Sequence, residues 1–463
     1  NTGQYITGKG YRNDGTTVDL NGGVGIALGR GSLALFGEFQ QRDPTNRAWA
    51  DPYLVDAAGN ADSINPKNGQ VVVKRNSFKN PDHHWGDGLE KDAMTFANFR
   101  MPLNASGSSE VYAFSGYSHR IGTGNGYYRY FDGNRNWQEI YPQGFLPQFK
   151  PTDEDFSMTG GIRTGAGGWS IDFGGSYGVN RFDYNLEHTL NASLGPCLVT
   201  ACAPGPDGVL GNSDDPGIPN QTKFFAGRLL KREALGALNI ARSVEVGLPG
   251  PLNIAVGATV RREQFKIEAG EKASWINGNH LDQDSAGPAP GGSSVFGGFS
   301  PTDASDHSRT NYGAYADLET NLSKQVLANV AGRFENYSDF GSNVSGKLAL
   351  RYQPSRRVVI RGAASTGFRA PGLAQNYFSH VTTSYIAGQL VEVGNFPTNN
   401  PASKLFGAKP LKEEKSVNLS GGLAVSPRDN LTFTIDLFHI KINDRILLGA
   451  TFDDDTTLAI LAA

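Results

Sequence analysis

The connections in this sequence alternate between short and long, and that alternation restricts the fold more than any single motif does. Stretches with a period of two recur along the chain, and every second junction between them is brief. Residues 17–28 set the pattern. Val18, Leu20, Gly22, Val24, Ile26 and Leu28 share one phase, while Thr17, Asp19, Asn21, Gly23, Gly25 and Ala27 share the other. Successive side chains of a strand point to opposite faces, so this stretch has one apolar face and one polar or very small face. A turn at Gly29, Arg30 and Gly31 leads to a second strand over 33–39, after which an irregular segment runs over about 43–92. Strand pairs over 93–101 and 111–120, 156–164 and 169–182, 223–244 and 252–268, 312–322 and 326–337, 344–352 and 358–365, and 416–425 and 431–442 repeat the rhythm. Long segments over about 121–154, 183–222, 270–308 and 369–413 separate most of these pairs. The exception is 338–342, where the rhythm calls for a long connection and the sequence offers a short one.

A soluble β-sandwich has no reason to alternate its turns in this way. An outer-membrane barrel does, with short periplasmic turns and long extracellular loops. Strand length agrees: most stretches reach ten residues, near the ~9–11 that a tilted membrane strand needs and above the soluble mode of about 5–6. Charges such as Glu38, Arg163, Asp172, Glu319, Arg333 and Asp436 usually fall on the polar phase of their strands, which suits a wet lumen. Glycine is 59 of 463 residues and aromatics are 10%, the composition of an all-β chain. The one helix-like stretch, 389–393, is too short to count. A net charge of −3 lacks the basic face of a nucleic-acid binder. No run of ~20 apolar residues is present, and a barrel would show none. The fold class expected is therefore all-β: a partial transmembrane antiparallel β-barrel of about 14–15 strands.

Within this rhythm, the stretch from Gly362 to Gln375, GAASTGFRAPGLAQ, carries a motif. A strand over 358–365 gives way to an irregular polar segment through Thr366, Gly367, Phe368 and Arg369, and the ladder must end near Pro371, which has no N–H to donate. The segment Ser365–Gln375 resembles the TGFRAP stretch of the TonB-dependent outer-membrane receptors. Downstream, Leu411, Lys412, Glu413, Glu414, Lys415, Ser416, Val417 and Asn418 resemble that family's entry to its next strand, with Glu413 where proline is usual. Upstream, RTNYGAYADLE from Arg309 and RFENYSDFG from Arg333 resemble the preceding hairpin, and IKINDRI over 440–446 resembles the next strand end. These motifs span about 309–446 in the right order. QQRDPTNR over 40–47 and RREQFKIEAGE over 261–271 are the most family-like pieces before them.

The resemblance implies a 22-stranded barrel plugged by an N-terminal globular domain, of which residues 1–463 would carry a barrel portion without plug, TonB box or closing strands. Free sheet edges are then expected at Thr17 and near Ile442. It also implies a receptor in the outer membrane of a Gram-negative bacterium, not an enzyme and without a cofactor. Such a receptor takes up a large scarce nutrient, foremost a ferric siderophore, with energy from the TonB–ExbB–ExbD complex and outer-membrane lipid around it. Cobalamin, an oligosaccharide or passive porin-like conduction are the alternatives.

Ligand contacts are expected on the long loops, since binding residues gather on loops held by a rigid scaffold. Tyr127, Tyr128, Arg129, Tyr130 and Phe131, with Trp137 and Tyr141, offer rings that could stack on an aromatic or sugar ligand; packing within the loop or an interfacial belt is the alternative. Arg369, Tyr377 and Phe378 beside the motif are further candidates. Asp82, His83, His84 and Asp87 hold metal-ligating groups, but neighbouring histidines on a loop are more often solvated. Asp207, Asn212, Asp214 and Asp215 offer oxygen ligands for calcium without the spacing or helices of an EF-hand. Cys197 and Cys202 are expected to form a disulfide stapling their loop in an oxidising compartment. The glycine run Gly122, Gly124 and Gly126 has no following helix to hold a phosphate. No Ser, His and Asp arrangement places a nucleophile beside a base.

Overall fold

An alternating strand must satisfy the hydrogen-bonding groups on its edges, and here successive long strands do so for one another. The computed structural model describes residues 2–7, 10–48, 62–64, 71–74, 82–198, 218–285, 287–386 and 389–449. In chain order the strands are β1 (Thr2–Thr7), β2 (Gly10–Leu28), β3 (Gly31–Arg42), β4 (Asp62–Ile64), β5 (Val71–Lys74), β6 (Leu89–Pro102) and β7 (Ser109–Asn125). Then come β8 (Arg129–Tyr130), β9 (Gly144–Phe145), β10 (Gln148–Phe149), β11 (Thr152–Ala166), β12 (Trp169–Glu187), β13 (Lys223–Val244), β14 (Leu252–Ala269) and β15 (Ser305–Asn321). The series ends with β16 (Val326–Tyr337), β17 (Gly341–Ser355), β18 (Val358–Arg369), β19 (His380–Ile386), β20 (Gln389–Asn395), β21 (Glu414–Arg428) and β22 (Leu431–Asn443). The helices α1 (Lys272–Trp275), α2 (Leu373–Tyr377) and α3 (Pro401–Leu405) are a turn or so each. No helix among the described residues is long and apolar enough to cross a membrane.

Sixteen strands form one antiparallel sheet in chain order, and fourteen of them are 12 to 22 residues long. That length spans a bilayer at a tilt and leaves residues to spare. The connections at one end are brief: 29–30, 103–108, 167–168, 245–251, 322–325, 356–357 and 429–430. At the other end they are long: 43–88, 126–151, 188–222, 270–304 and 370–413, with 338–340 as the short exception. The sheet is a transmembrane barrel wall of outer-membrane type. β1 pairs only with the Gly10–Thr16 half of β2, so residues 17–28 have β3 as their one partner, and β22 has β21 as its one partner among the described residues.

Several boundaries differ from the sequence expectation. β18 continues through Thr366, Gly367 and Phe368 to Arg369, because β21 keeps pairing with it after β17 has ended its ladder at Ser365. It stops where expected, just before Pro371. Residues 389–393 lie in a strand: β20 pairs with β19 in a hairpin, and cross-strand partners override a weak helical pattern. Pro354 and Pro427 sit in bulges beside their turns, which narrows the turns to two residues each.

Opposed residues in adjacent strands share a face, so the register can be followed across the wall. One row runs Glu110, Arg163, Asp172, Asn239, Gly257, Tyr315 and Arg333. Arg163 bonds Asp172 at 3.0 Å and Glu110 at 3.2 Å, and Tyr112 donates to Asp172 at 2.8 Å. Glu38, Glu319 and Asp436 trace to the same, inner face, where Arg361 holds Asp436 at 2.7 Å. The next row outward reads Ile171, Ile240, Val256, Ala316, Gly332 and Gly346. The alternation is not perfect. Phe36, Phe96 and Phe114 face inward, as do Phe438, Ile440 and Ile442.

Glycines on the inner face make room for rings. Tyr315 lies across Gly257 to donate to Asn239 Oδ1 at 2.9 Å, and a Cβ on Gly257 would strike the ring. Gly257→Val is therefore expected to cost about 1–3 kcal/mol by overpacking. Urea unfolding in detergent should show that penalty, and it should shrink in a Tyr315→Ala background. An equal penalty in both backgrounds would refute the contact.

Candidate functional site

The buried core of this protein lies mainly among the long loops at one rim, not along the length of the wall. Trp137, Phe145, Leu190, Ala192 and Ala289 form one cluster, joined by Ile140 and Tyr141. Leu186, Leu194, Phe224, Ala226 and Ala273 form a second, and Phe265, Ile267, Phe299 and Leu373 a third. These residues come from loops 126–151, 188–222, 270–304 and 370–413 and from the strand ends beneath them. Loops this long carry backbone groups that no ladder satisfies, so polar side chains must do it. Asn191 caps a short 3-10 turn at Ala192–Leu194, donates to the carbonyls of Ala273 at 2.9 Å and Ile276 at 2.8 Å, and accepts from Ser193. Asn220 donates to the carbonyls of Asn191 and Gly195, both at 2.8 Å. Thr189 donates to Ser294 O at 2.9 Å. Four loops thus become one cap.

The motif segment is pinned to that cap. Arg309, buried on β15, donates to Glu263 at 2.6 Å and to the carbonyl of Pro371 at 2.6 Å, with Asp339 at 3.6 Å. Its guanidinium lies 5.2 Å from the Tyr337 ring centre. Leu373 enters the third cluster, Ser379 donates to Asp303 at 3.2 Å, and His380 stacks on Phe296 at 4.4 Å.

The expected site residues divide into two groups. Trp137 is 5% exposed, and its indole N–H is spent on Ala192 O at 2.8 Å. Loop self-packing, the alternative weighed for it, describes its position. Tyr141 stacks on Phe145 at 4.6 Å, and burial pushes its phenol up to about 12. Tyr377 stacks on His307 at 3.7 Å, Phe378 packs near Phe299, and Arg369 reaches Glu414 at 3.4 Å and Gln375 at 3.1 Å. These residues position the loop.

Tyr127 and Tyr128, with Arg129 and Tyr130 next along the chain, instead meet the segment that carries His83 and Trp85. Tyr127 is 67% exposed and meets Trp85, 57% exposed, edge-on at 6.4 Å. Tyr128 contacts Tyr130 at 5.7 Å and His83 at 6.1 Å. Burial, and then the charge of Arg135, hold the Arg129 guanidinium below the usual arginine range; burial lowers Arg135 as well. Neither arginine has a carboxylate partner among the described residues, and Arg129 Nε has no hydrogen bond. Sequence reasoning missed Arg135, Trp85, Arg309 and Asn191. Trp85 adjoins the His83–His84 pair and Arg309 opens the RTNYGAYADLE stretch, but Asn191 carries no local signal.

His83 Nδ1 is engaged with Asp82 at 2.6 Å, and no cluster of three or more metal-ligating side chains occurs among the described residues. Cys197 is disulfide-bonded, while Cys202, Asp207, Asn212, Asp214 and Asp215 lie outside the described residues. The glycine run expected not to hold a phosphate begins inside β7.

The profile of the family described as TonB dependent receptor-like, beta-barrel, matches residues 98–460. The iron-regulated outer membrane virulence protein of Vibrio cholerae serotype O1 is 27% identical over 139 residues, which is 30% of this chain and 19% of that protein. Among solved structures, a mutant of the ferric enterobactin receptor PfeA from Pseudomonas aeruginosa aligns with a TM-score of 0.55 at 14% identity, over 95% of this chain and 52% of that one. The siderophore receptor PirA from Acinetobacter baumannii aligns at 0.54 and 14% identity, over 96% and 52%. The RagAB peptide transporter aligns at 0.52 and 10% identity, over 92% and 44%. The chain thus spans about half the length of the receptors whose fold it shares. It belongs to the TonB-dependent receptors of the Gram-negative outer membrane, a family of receptors and transporters rather than enzymes, and carries their β-barrel.

Proposed function

We propose that this chain serves the uptake of a ferric siderophore, received on the outer loops and moved inward with energy from the TonB–ExbB–ExbD complex through the plug that the family resemblance implies. The observation that carries this reading is the exposed ring pair of Trp85, from the 43–88 loop, and Tyr127, from a loop of the cap, with Arg129 and Arg135 on the same loop as Tyr127 and without carboxylate partners among the described residues. Rings fixed on a rigid base can stack on a planar ligand with little ordering cost. Arginines without counter-charges can take the oxygens of an anionic one as charge-assisted hydrogen bonds. The names of the aligned PfeA and PirA structures support the same ligand class, PfeA having been solved with enterobactin, whereas that of RagAB names peptides.

The test pairs genetics with binding. A strain lacking the gene should lose growth on one class of ferric siderophore, and uptake should stop when TonB is deleted. Uptake that persists without TonB would favour a passive channel, and induction by a glycan or rescue by cobalamin would replace the siderophore. In the purified protein, charged hydrogen bonds are worth about 1.5–3 kcal/mol each, so Arg129→Ala with Arg135→Ala should weaken siderophore binding by about a hundredfold or more. Tyr127→Ala with Trp85→Ala should weaken it about tenfold. Unchanged affinity in both variants would remove this patch as the site.

A further inference from the structure

The outer face of the wall carries charge as well as apolar residues, and its position is informative. On β13 the outward phase runs from Arg242, at the short-turn end, through Ile240, Leu238, Gly236 and Ala234 to Arg232. The two arginines are ten residues apart, about 33 Å along a strand, or roughly 24 Å of height at the tilt of a barrel strand. That matches the apolar band of about 25 Å that an outer-membrane barrel presents to lipid. Arg232 therefore stands at the head-group level of the outer leaflet, on the side of the long loops. On the neighbouring strand Arg262 is outward too, opposite Ala234 and diagonal to Arg232. Cross-strand diagonal positions lie about 7–8 Å apart, close enough for two guanidinium groups to grip one phosphate or adjacent ones.

The two ends of this pattern are used differently. Arg242 lies over the Trp169 ring at 5.0 Å. Arg232 and Arg262 are exposed and, among the described residues, have only neutral hydrogen-bond partners, Gln264 at 3.4 Å and Ser308 at 3.3 Å. Carboxylates further up the same face are engaged elsewhere: Asp183 by Arg181 and Arg228, Glu268 by Lys266, and Asp306 by Gln264. Exposed Tyr177 and Tyr312 flank the pair on the same face, as residues of an interfacial aromatic belt do.

We propose that Arg232 and Arg262 form a binding site for the phosphate groups of an outer-leaflet lipid. Arginine suits the task, since its planar fork matches phosphate oxygens two at a time. The site is on the lipid side of the wall and is independent of the ligand patch on the loops.

Thermal unfolding of the protein in maltoside, titrated with diphosphoryl lipid A, tests this. The lipid should raise the Tm of the wild type, and Arg232→Gln with Arg262→Gln should weaken that binding by roughly tenfold to thirtyfold. Arg242→Gln, at the opposite rim, should bind as the wild type does. Monophosphoryl lipid A should bind less tightly, and inorganic phosphate should leave the Tm unchanged at the same concentrations. Equal affinity in the double variant and wild type would overturn the proposal. So would inorganic phosphate acting as strongly as the lipid, which would make this a free-anion site. The single variants, each expected to lose several-fold, carry the same test if the double variant fails to fold.

Discussion

Arg309→Ala should be among the most destabilising single substitutions in this protein, at about 3–5 kcal/mol, because it leaves a buried carboxylate without its cation. The side chain is 5% exposed and binds Glu263, itself 12% exposed, at 2.6 Å, so the carboxylate left behind is poorly solvated. The substitution also strips the Pro371 carbonyl of its donor, and with it the tie between β15 and the loop that follows β18. Two measurements separate these effects. Urea unfolding reports the global loss, which should diminish when Glu263→Gln is added, since the remaining group is then neutral. Hydrogen exchange over 371–380 reports the local one, and it should rise in both the single and the double variant because neither restores the Pro371 bond. Wild-type stability in Arg309→Ala would show that the network adds nothing.

Leu238→Arg is the second large expectation. Leu238 faces outward between Phe173 and Ala258, about midway between Arg242 and Arg232, hence near the bilayer midplane. A cation there is expected to cost roughly 2–4 kcal/mol, seen as a loss of folded yield and stability on refolding into liposomes. Asp172→Asn, one strand away and on the inner face, should cost less than about 1 kcal/mol, since its partner Arg163 is half-exposed and pairs with Glu110 as well. Equal damage from the two substitutions would reverse the assignment of faces.

The division between those faces was readable without coordinates. In residues 17–28 or 169–182 each side chain's direction follows from the one before it, so a period of two reports directly which face of the wall a residue occupies. Cross-strand register then carried Arg163, Asp172, Arg333 and Asp436 to one face. The family motif at 365–375 was legible for a similar reason, being a contiguous run. Its local geometry was less so, because the extension of β18 to Arg369 depends on β21, whose paired residue Glu414 lies far along the chain.

The proposed ligand patch was only half visible. Tyr127, Tyr128, Arg129, Tyr130 and Trp137 read alike as loop aromatics and cations, and nothing local separates an exposed ring from a buried one. Tertiary packing made the distinction: Trp137 was drawn beneath the cap by Ala192, 55 residues away, while Tyr127 was left beside Trp85. Asn191 reaches a carbonyl 82 residues on, and Thr189 one 105 residues on. The sequence alone determined strands, faces, the sidedness of the loops and the family, since these depend on neighbours along the chain or on runs that stay contiguous. Which loop residues became core, which arginines have no carboxylate partner among the described residues and what holds Pro371 were decided by tertiary structure, because each depends on contacts between loops that no local pattern encodes.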